Sequence, residues 1–126
     1  MTKTSITTPL APVPVAAYSQ AGKVNETVYL AGQGGFDPTT GKLAGDDMAA
    51  QTRQALANLQ HVIEAAGGSL ADFVSVRVFI ADHALFPEMN QVYEEFFSAP
   101  YPARTTVTTG LGPAMKVEID AIAVLS

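Results

Sequence analysis

Arg104 and Glu118 lie in two strand-like stretches near the end of the chain, and together they could bind a small carboxylic acid and transfer a proton to or from it. The guanidinium group of arginine is a planar fork that can bind a carboxylate through two hydrogen bonds. A glutamate beside it can pair with the arginine, hold a water molecule or exchange a proton with a bound substrate. On spacing alone the simpler alternative stays open, a solvated cross-strand ion pair that contributes about 0 to 1 kcal/mol.

A predicted antiparallel hairpin positions this pair. Residues 104–109 are rich in β-branched side chains, residues 110–113 have turn chemistry, and residues 115–125 alternate between apolar and polar with period two. A register error of one residue would move every side chain to the other face, so the expectation depends on this pairing. The predicted register places four side chains on one face as two opposed pairs, Thr106 with Glu118 and Arg104 with Asp120.

The composition bounds the class of protein. At 126 residues, with 48% hydrophobic and 15% charged residues, the chain is predicted to form one globular domain over residues 1–126. Seven basic against twelve acidic residues give a formal charge of -5, which disfavours nucleic acid as a partner. Cysteine is absent, so disulfides and thiolate catalysis are excluded. The proline-broken N-terminal stretch predicts neither a signal peptide nor a membrane span, and we expect a cytoplasmic protein.

The other elements indicate a sheet backed by two helices. Strands are predicted at residues 15–20, 27–31 and 73–80, and helices follow Asp46-Asp47 and Asp82-His83-Ala84. With the hairpin at the end, this order predicts a layered α+β domain in which both helices pack on one face of a mixed sheet.

The predicted strand at residues 73–80 is apolar on both faces. One face can take the helices, whereas the other needs a cover that two helices cannot supply. Ile122 and Val124, on the Glu118 face of the last strand, are apolar side chains that also need to be covered. Self-association of the chain is the simplest way to cover this face. The predicted faces are Val74, Val76, Val78 and Ile80 on one side and Phe73, Ser75, Arg77 and Phe79 on the other.

Other polar residues carry weaker signals. Gly32-Gln33-Gly34-Gly35 has neither dinucleotide nor phosphate-loop spacing, so loop glycines are the simpler interpretation. His61 and His83 have no second ligand at metal spacing, and no metal site is expected. Asn90 lies at the edge of the apolar stripe of the second helix, where it indicates either a polar partner or an exposed boundary position.

Several motifs follow one another along nearly the whole chain, and their order is more specific than any one of them. They are Ala11-Pro12, Tyr18-Ser19-Gln20, Gly32-Gln33, Asp37-Pro38-Thr39-Thr40-Gly41, Gln51, Asn58-Leu59, the helix with Phe86, Asn90, Tyr93, Phe96 and Phe97, Pro102-Ala103-Arg104-Thr105, and residues 117–123. With these motifs the chain resembles the Rid family, the reactive intermediate deaminases also called YjgF/YER057c/UK114 proteins.

The resemblance implies a chorismate-mutase-like (ferredoxin-like) fold that forms a homotrimer around a barrel of sheets, with clefts between subunits. It also implies a 2-iminobutanoate/2-iminopropanoate deaminase type of activity, in which enamines and imines such as 2-aminoacrylate are hydrolysed to 2-keto acids and ammonia without a cofactor. In the implied site Arg104 binds the substrate carboxylate, and Glu118 positions the water or relays its proton. The implied pocket is lined by Tyr18, Gly32, Asn90 and Thr106.

Departures from the family pattern and three other functions stay open, and one of the three is a specialised biosynthetic enzyme built on the same scaffold. Thr106 stands where many deaminase members have cysteine, and Ala16-Ala17 stands where the family has Gly-Pro, which leaves the subgroup and the preferred side chain undetermined. A non-catalytic protein that binds small 2-keto acids through Arg104 is a second alternative. An endoribonuclease or translation inhibitor is the third, and the charge of -5 counts against it.

Overall fold

The computed structural model describes residues 2–126, in which two α-helices pack on one face of a six-stranded mixed sheet. The predicted α+β class, with both helices on one face, is confirmed. Single 3-10 turns precede the fourth strand and the second helix. The elements are β1 (Thr4–Ile6), β2 (Ala21–Val24), β3 (Thr27–Gly34), α1 (Met48–Ala65), β4 (Phe73–Ile80), α2 (Phe86–Phe96), β5 (Ala103–Thr108) and β6 (Val117–Val124).

The strand order β1-β2-β3-β6-β4-β5 corrects the predicted hairpin. β5 pairs in parallel with β4 at the edge of the sheet, whereas β6 lies inside the sheet, antiparallel to both β3 and β4. Arg104 is therefore opposite Val76 and not Asp120, and Glu118 is opposite Phe79. The hairpin prediction was wrong because turn chemistry shows that two stretches reverse direction but does not decide which strands pair. An interior position gives β6 two ladders of hydrogen bonds instead of one.

A bulge in β4 changes which side chains face the core. Phe73 pairs with Ala123 and Ser75 pairs with Ile122, which leaves Val74 as an extra residue in β4. Phe73 therefore turns toward the helices, where it is 5% exposed, while Val74 is 48% exposed. The predicted faces of these two residues are reversed, whereas the remaining residues of β4 alternate as predicted.

One buried glutamine holds the N-terminal segment against the sheet. Gln20 Oε1 accepts a hydrogen bond from the Thr8 backbone N–H at 2.7 Å, and its Nε2 donates to the carbonyls of Thr8 at 3.0 Å and Pro12 at 2.9 Å. The strand predicted at residues 15–20 is not formed, because this side chain ties the segment into a loop and regular pairing begins only at Ala21.

Two buried amides of α1 fix the loops that adjoin β3 and β6. Gln51 Nε2 donates to the Ala114 carbonyl at 3.1 Å, and its Oε1 accepts from the Lys116 backbone N–H at 2.8 Å. Asn58 Nδ2 donates to the Phe36 carbonyl at 2.9 Å. Because both side chains are fully buried, these bonds satisfy groups that would otherwise be costly to desolvate. They hold the end of β3 and the start of β6 beside α1.

Candidate functional site

Arg104 lies on the helix-covered face of the edge strand β5, against α2. Its Nη1 donates a hydrogen bond to Asn90 Oδ1 at 2.7 Å. Its Cζ lies 4.6 Å from the centroid of the Tyr93 ring and 5.5 Å from that of Phe86. Spacings of three and four residues place these three side chains on one face of α2. In residues 2–126 the ion pairs involve other arginines, and no carboxylate lies at ion-pair distance from Arg104.

A cleft of about 350 Å³ opens beside the guanidinium group. Its walls come from α2 and from the segment that leads into β5. Asn90 occupies one donor of Arg104 and carries no charge, so the guanidinium keeps its positive charge and further N–H donors for an anion. The cleft can therefore bind a small carboxylate. Its lining residues are Asn90, Tyr93, Glu94, Tyr101, Pro102 and Arg104.

Glu118 lies on the other face of the sheet. Val117 and Ile119 are fully buried under the helices, so the alternation along β6 points Glu118 away from them. A β-bulge at residues 31–32 of β3 brings Gly32 beneath this side chain, and a Cβ at Gly32 would lie 2.6 Å from Glu118 Oε2. Only glycine leaves the carboxylate in this position. Within residues 2–126 the Glu118 carboxylate has neither an ion pair nor a hydrogen bond.

One chain does not bring Arg104 and Glu118 together. Arg104 shares the face of Val76, under the helices, whereas Glu118 shares the face of Phe79, away from them. The prediction that the two side chains share a face is wrong, because parallel pairing of β5 with β4 replaces the hairpin register. Thr106, two residues after Arg104, stays on the Arg104 face and apart from Glu118.

Tyr18 lies in the loop before β2, apart from Arg104. It is 50% exposed, and it lies two residues before Gln20, whose carbonyl accepts a hydrogen bond from the Ala31 N–H at 2.9 Å, next to Gly32. Tyr18 does not line the Arg104 cleft. The structure thus brings the predicted site residues together as two pairs, Arg104 with Asn90, which we call the arginine half-site, and Glu118 with Gly32, which we call the glutamate half-site. Thr106 shares the Arg104 face of the sheet but does not line the cleft.

A cross-strand ion pair was one of the alternatives for Arg104. In the structure Arg77, and not Arg104, forms such a pair. Asp120 lies opposite Arg77, and its Oδ1 and Oδ2 accept hydrogen bonds from Arg77 Nε at 3.0 Å and Nη2 at 2.7 Å. These hydrogen bonds and the charge of Asp120 raise the pKa of Arg77. Sequence reasoning missed this pair because it had assigned Asp120 to Arg104. The signal that could have found it is the position of Arg77 on the second apolar face of β4.

Known proteins share both the sequence and the fold. The family model described as Endoribonuclease L-PSP matches residues 8–125. A 2-iminobutanoate/2-iminopropanoate deaminase of Dermatophagoides farinae is 42% identical over 124 residues, which cover 98% of this chain and 97% of that relative. The chain belongs to the Rid family.

Solved structures of Rid proteins superpose on the chain closely. RidA from the Antarctic bacterium Psychrobacter sp. PAMC 21119 is 42% identical, with a TM-score of 0.93 and coverage of 97% of this chain and 99% of that chain. TdcF of E. coli, solved with bound serine, is 36% identical, with a TM-score of 0.93 and coverage of 98% and 99%. The family named from the sequence motifs is therefore confirmed.

Sequence reasoning missed two residues of the Arg104 cleft in this Rid chain, Glu94 and Tyr93. Asn90 Nδ2 donates a hydrogen bond to Glu94 Oε1 at 3.1 Å. Tyr93 is 3% exposed, and its hydroxyl has no hydrogen-bond partner among residues 2–126. Burial raises the pKa of Tyr93, and the positive charge of Arg104 opposes that rise. Their spacing of three and four residues from Asn90 on α2 was the available signal.

The sheet face opposite the helices carries exposed apolar side chains of several strands. Such a patch is typical of a surface that contacts another protein. This agrees with the expectation that the second face of the sheet needs a cover. The exposed apolar residues of β3 to β6 are Tyr29, Val74, Val107, Ile122 and Val124.

Residues 2–126 contain neither a group of side chains that could hold a metal ion nor a helix that could cross a membrane. Among residues 2–126, no three or more His, Cys, Asp or Glu side chains are grouped so that they could hold a metal ion. Over the same range, every helix is too short or too polar to cross a membrane.

Proposed function

We propose that this Rid chain is a hydrolytic deaminase that converts small 2-imino acids and their enamine tautomers, such as 2-aminoacrylate, to 2-keto acids and ammonia. The observation that carries the proposal is Arg104, a half-buried arginine at a cleft, held by a neutral amide and aromatic rings. The relative named as a 2-iminobutanoate/2-iminopropanoate deaminase supports this activity. The TdcF structure, solved with the small amino acid serine, supports a ligand of this size.

In this proposal Arg104 binds the substrate carboxylate through the donors that Asn90 leaves free. The Tyr93 and Phe86 rings lie beside the guanidinium group, where they favour its positive charge and limit its movement. The bound acid is thereby oriented with its C=N group away from Arg104 and toward the acid-base group. Asn90 lines the arginine side of the pocket, and Thr106 lies on the Arg104 face of the sheet. We assign Tyr18 and the backbone of Gly32 to the other side of the complete pocket.

The reaction needs only a positioned water and proton transfer. The enamine gains a proton at carbon and becomes an imine, water adds to the C=N carbon, and the resulting carbinolamine loses ammonia to leave the 2-keto acid. We assign to Glu118 the acceptance of the proton from the attacking water and its return to the departing amine. A carboxylate without a cationic partner in residues 2–126 suits this role, because it is free to accept a proton.

We further propose that the complete site combines half-sites from two copies of the chain in a homotrimer. Arg104 and Glu118 lie on opposite faces of one sheet, so they can approach each other only across an interface. The exposed apolar patch on the Glu118 face supports such an interface, since a neighbouring copy would cover it. The cytoplasmic location stays a prediction.

The proposal is tested by substituting the two charged residues separately. Arg104→Ala should abolish both pyruvate release from freshly generated 2-aminoacrylate and pyruvate binding measured by calorimetry. Glu118→Gln should still bind pyruvate but turn over about 10² to 10⁴ times more slowly. Arg53→Ala is the matched control, because Arg53 forms an exposed ion pair with Glu95 and lies outside the cleft. Near-normal turnover by Arg104→Ala would place the site elsewhere.

A second candidate is a protein that binds 2-keto acids without catalysis, and the same Arg104 cleft favours it. Pyruvate binding by the wild-type chain without turnover of 2-aminoacrylate would support this candidate. The family description also names an endoribonuclease, although the formal charge of -5 opposes binding to RNA. Any ribonuclease activity is expected to disappear on further purification.

A further inference from the structure

A line of hydrogen bonds runs along α2 from Glu94 through Asn90 to Arg104. Asn90 Nδ2 donates to Glu94 Oε1 at 3.1 Å, and Asn90 Oδ1 accepts from Arg104 Nη1 at 2.7 Å. All three residues line the cleft. Glu94 follows Asn90 by one helical turn, a spacing at which side chains on one helix face are in contact.

The chemistry of the two outer groups sets the orientation of the amide between them. A guanidinium group only donates hydrogen bonds and an ionised carboxylate only accepts them. The amide of Asn90 must therefore turn its oxygen toward Arg104 and its NH2 toward Glu94. The flipped amide would place donors against donors and oxygens against oxygens. Glu94 thus holds Asn90 in the orientation in which it accepts a hydrogen bond from Arg104.

The amide also keeps the two charged groups apart. Within residues 2–126, Glu94 forms no ion pair with Arg104. If Glu94 contacted the guanidinium directly, an incoming carboxylate would have to displace it or share its charge. With Asn90 between them, Glu94 can fix the position of Arg104 without neutralising it.

We infer that Glu94 is a positioning residue of the arginine half-site. It fixes Asn90, and through Asn90 one edge of the guanidinium group, so that the other donors of Arg104 meet the substrate carboxylate. This inference rests on the proposed function. Because Glu94 contacts no reacting atom, it acts on the KM for the imino acid and on the Kd for 2-keto acids, and it leaves kcat nearly unchanged.

The sign of the effect separates this role from a simple charge effect. Through space, the negative charge of Glu94 opposes the binding of an anion, so its removal alone would tighten pyruvate binding. Acting through Asn90, Glu94 favours binding, so its removal weakens it. The two mechanisms thus predict opposite changes in Kd.

The experiment measures pyruvate Kd by calorimetry and KM and kcat with 2-aminoacrylate for three substitutions of Glu94. Glu94→Gln keeps an acceptor oxygen for Asn90 and should stay within about twofold of wild type. Glu94→Ala should raise Kd and KM about 3- to 10-fold, the range expected for one lost hydrogen bond. Glu94→Lys should raise Kd and KM further, because the ammonium group of the new lysine competes with Arg104 for the Asn90 oxygen.

Two controls make the result specific. Glu95→Lys makes the same change of charge at the next residue, outside the cleft, and should leave pyruvate binding unchanged or slightly tighter. In an Asn90→Ala background, Glu94→Ala should cause no further loss, since the two act in series. Each variant is first checked for folding and assembly.

Glu94→Ala that binds pyruvate as tightly as wild type, or more tightly, would overturn the inference. A loss of pyruvate affinity in Glu94→Gln as large as that in Glu94→Ala would also overturn it. If these variants bind normally while Arg104→Ala does not bind, only the role of Glu94 is refuted. If Arg104→Ala itself binds pyruvate normally, the proposed function fails instead.

Discussion

Two arginines on adjacent strands, Arg77 of β4 and Arg104 of β5, have opposite surroundings. Arg77 donates two hydrogen bonds to Asp120, at 3.0 and 2.7 Å, on the face away from the helices. Arg104 lies under α2 and donates to the neutral amide of Asn90. The charge of Arg77 is compensated within the chain, whereas the charge of Arg104 remains available to a ligand. The partner, and not the residue type, distinguishes a binding arginine from a structural one.

Substitution by lysine should affect Arg104 and Arg77 very differently. Arg104→Lys keeps the charge but loses the planar fork, so kcat/KM with 2-aminoacrylate is expected to fall about 100-fold or more. Arg77→Lys keeps a cation beside Asp120, and kcat/KM of the assembled protein should stay within about threefold of wild type. Steady-state pyruvate release from both variants measures the difference. Equal losses would mean that the surroundings do not distinguish the two arginines.

Asn90→Asp gives Arg104 the kind of partner that Arg77 has. The new carboxylate should compete with the substrate for the guanidinium group, and we expect pyruvate Kd to rise about tenfold or more. Calorimetric titration with pyruvate measures this change. Gln91→Asp adds the same charge at an exposed neighbouring position of α2 and should change Kd little. Unchanged binding by Asn90→Asp would show that a neutral partner is not required.

Asp120→Asn tests the other member of the comparison. The substitution leaves Arg77 without a carboxylate, and covering that cation in an interface would be costly. Self-association measured by sedimentation should weaken by about tenfold, while turnover per assembled site stays within about threefold. If assembly is unchanged, the Arg77–Asp120 pair lies outside the interface, and a surface contribution of about 0 to 1 kcal/mol applies.

Removal of the Tyr93 hydroxyl should have the smallest effect of these substitutions. Burial raises the pKa of Tyr93, so the folded chain holds this proton more tightly than the unfolded chain. The free energy of unfolding is therefore unaffected by this titration below the ordinary tyrosine pKa of 10.0, and it falls as the pH rises from that value toward the raised pKa of the folded chain. Tyr93→Phe keeps a ring beside Arg104 and should leave the free energy of unfolding at neutral pH equal or higher by up to about 1 kcal/mol.

Denaturant unfolding at neutral pH and above the tyrosine pKa checks this expectation. The variant should lose less stability than wild type between the two conditions. Pyruvate binding should be unchanged. A clear loss of binding by Tyr93→Phe would contradict this prediction, since it would show that the hydroxyl contacts the ligand.

The elements set by local sequence were predictable, because their signals lie within a few residues. β4 has the bounds predicted, residues 73–80, and α1 begins at Met48 after Asp47, as the acidic pair suggested. The edge position of Asn90 on α2 left open a polar partner or an exposed boundary position, and the structure supplies two polar partners, Arg104 and Glu94. The order of elements also gave the α+β class.

The pairing of strands was not predictable from the same signals. Alternation shows which residues of one strand share a face, but it does not decide which strands meet. The hairpin register therefore placed Arg104 beside Glu118, whereas the sheet places them on opposite faces. The bulges at Val74 and Gly32 each add one residue to a strand, and period-two patterns do not reveal such an insertion.

Mixing two inactive variants shows whether each site combines residues of two copies of the chain. Arg104→Ala and Glu118→Ala should each release almost no pyruvate from 2-aminoacrylate. If Arg104 of one copy works with Glu118 of the next, co-expression in equal amounts should restore about one quarter of wild-type turnover, because about one interface in four then joins two intact half-sites. The separately purified variants, pooled without subunit exchange, should stay inactive. If the co-expressed variants assemble into mixed oligomers that are as inactive as each variant alone, Arg104 and Glu118 of different copies do not form a common site.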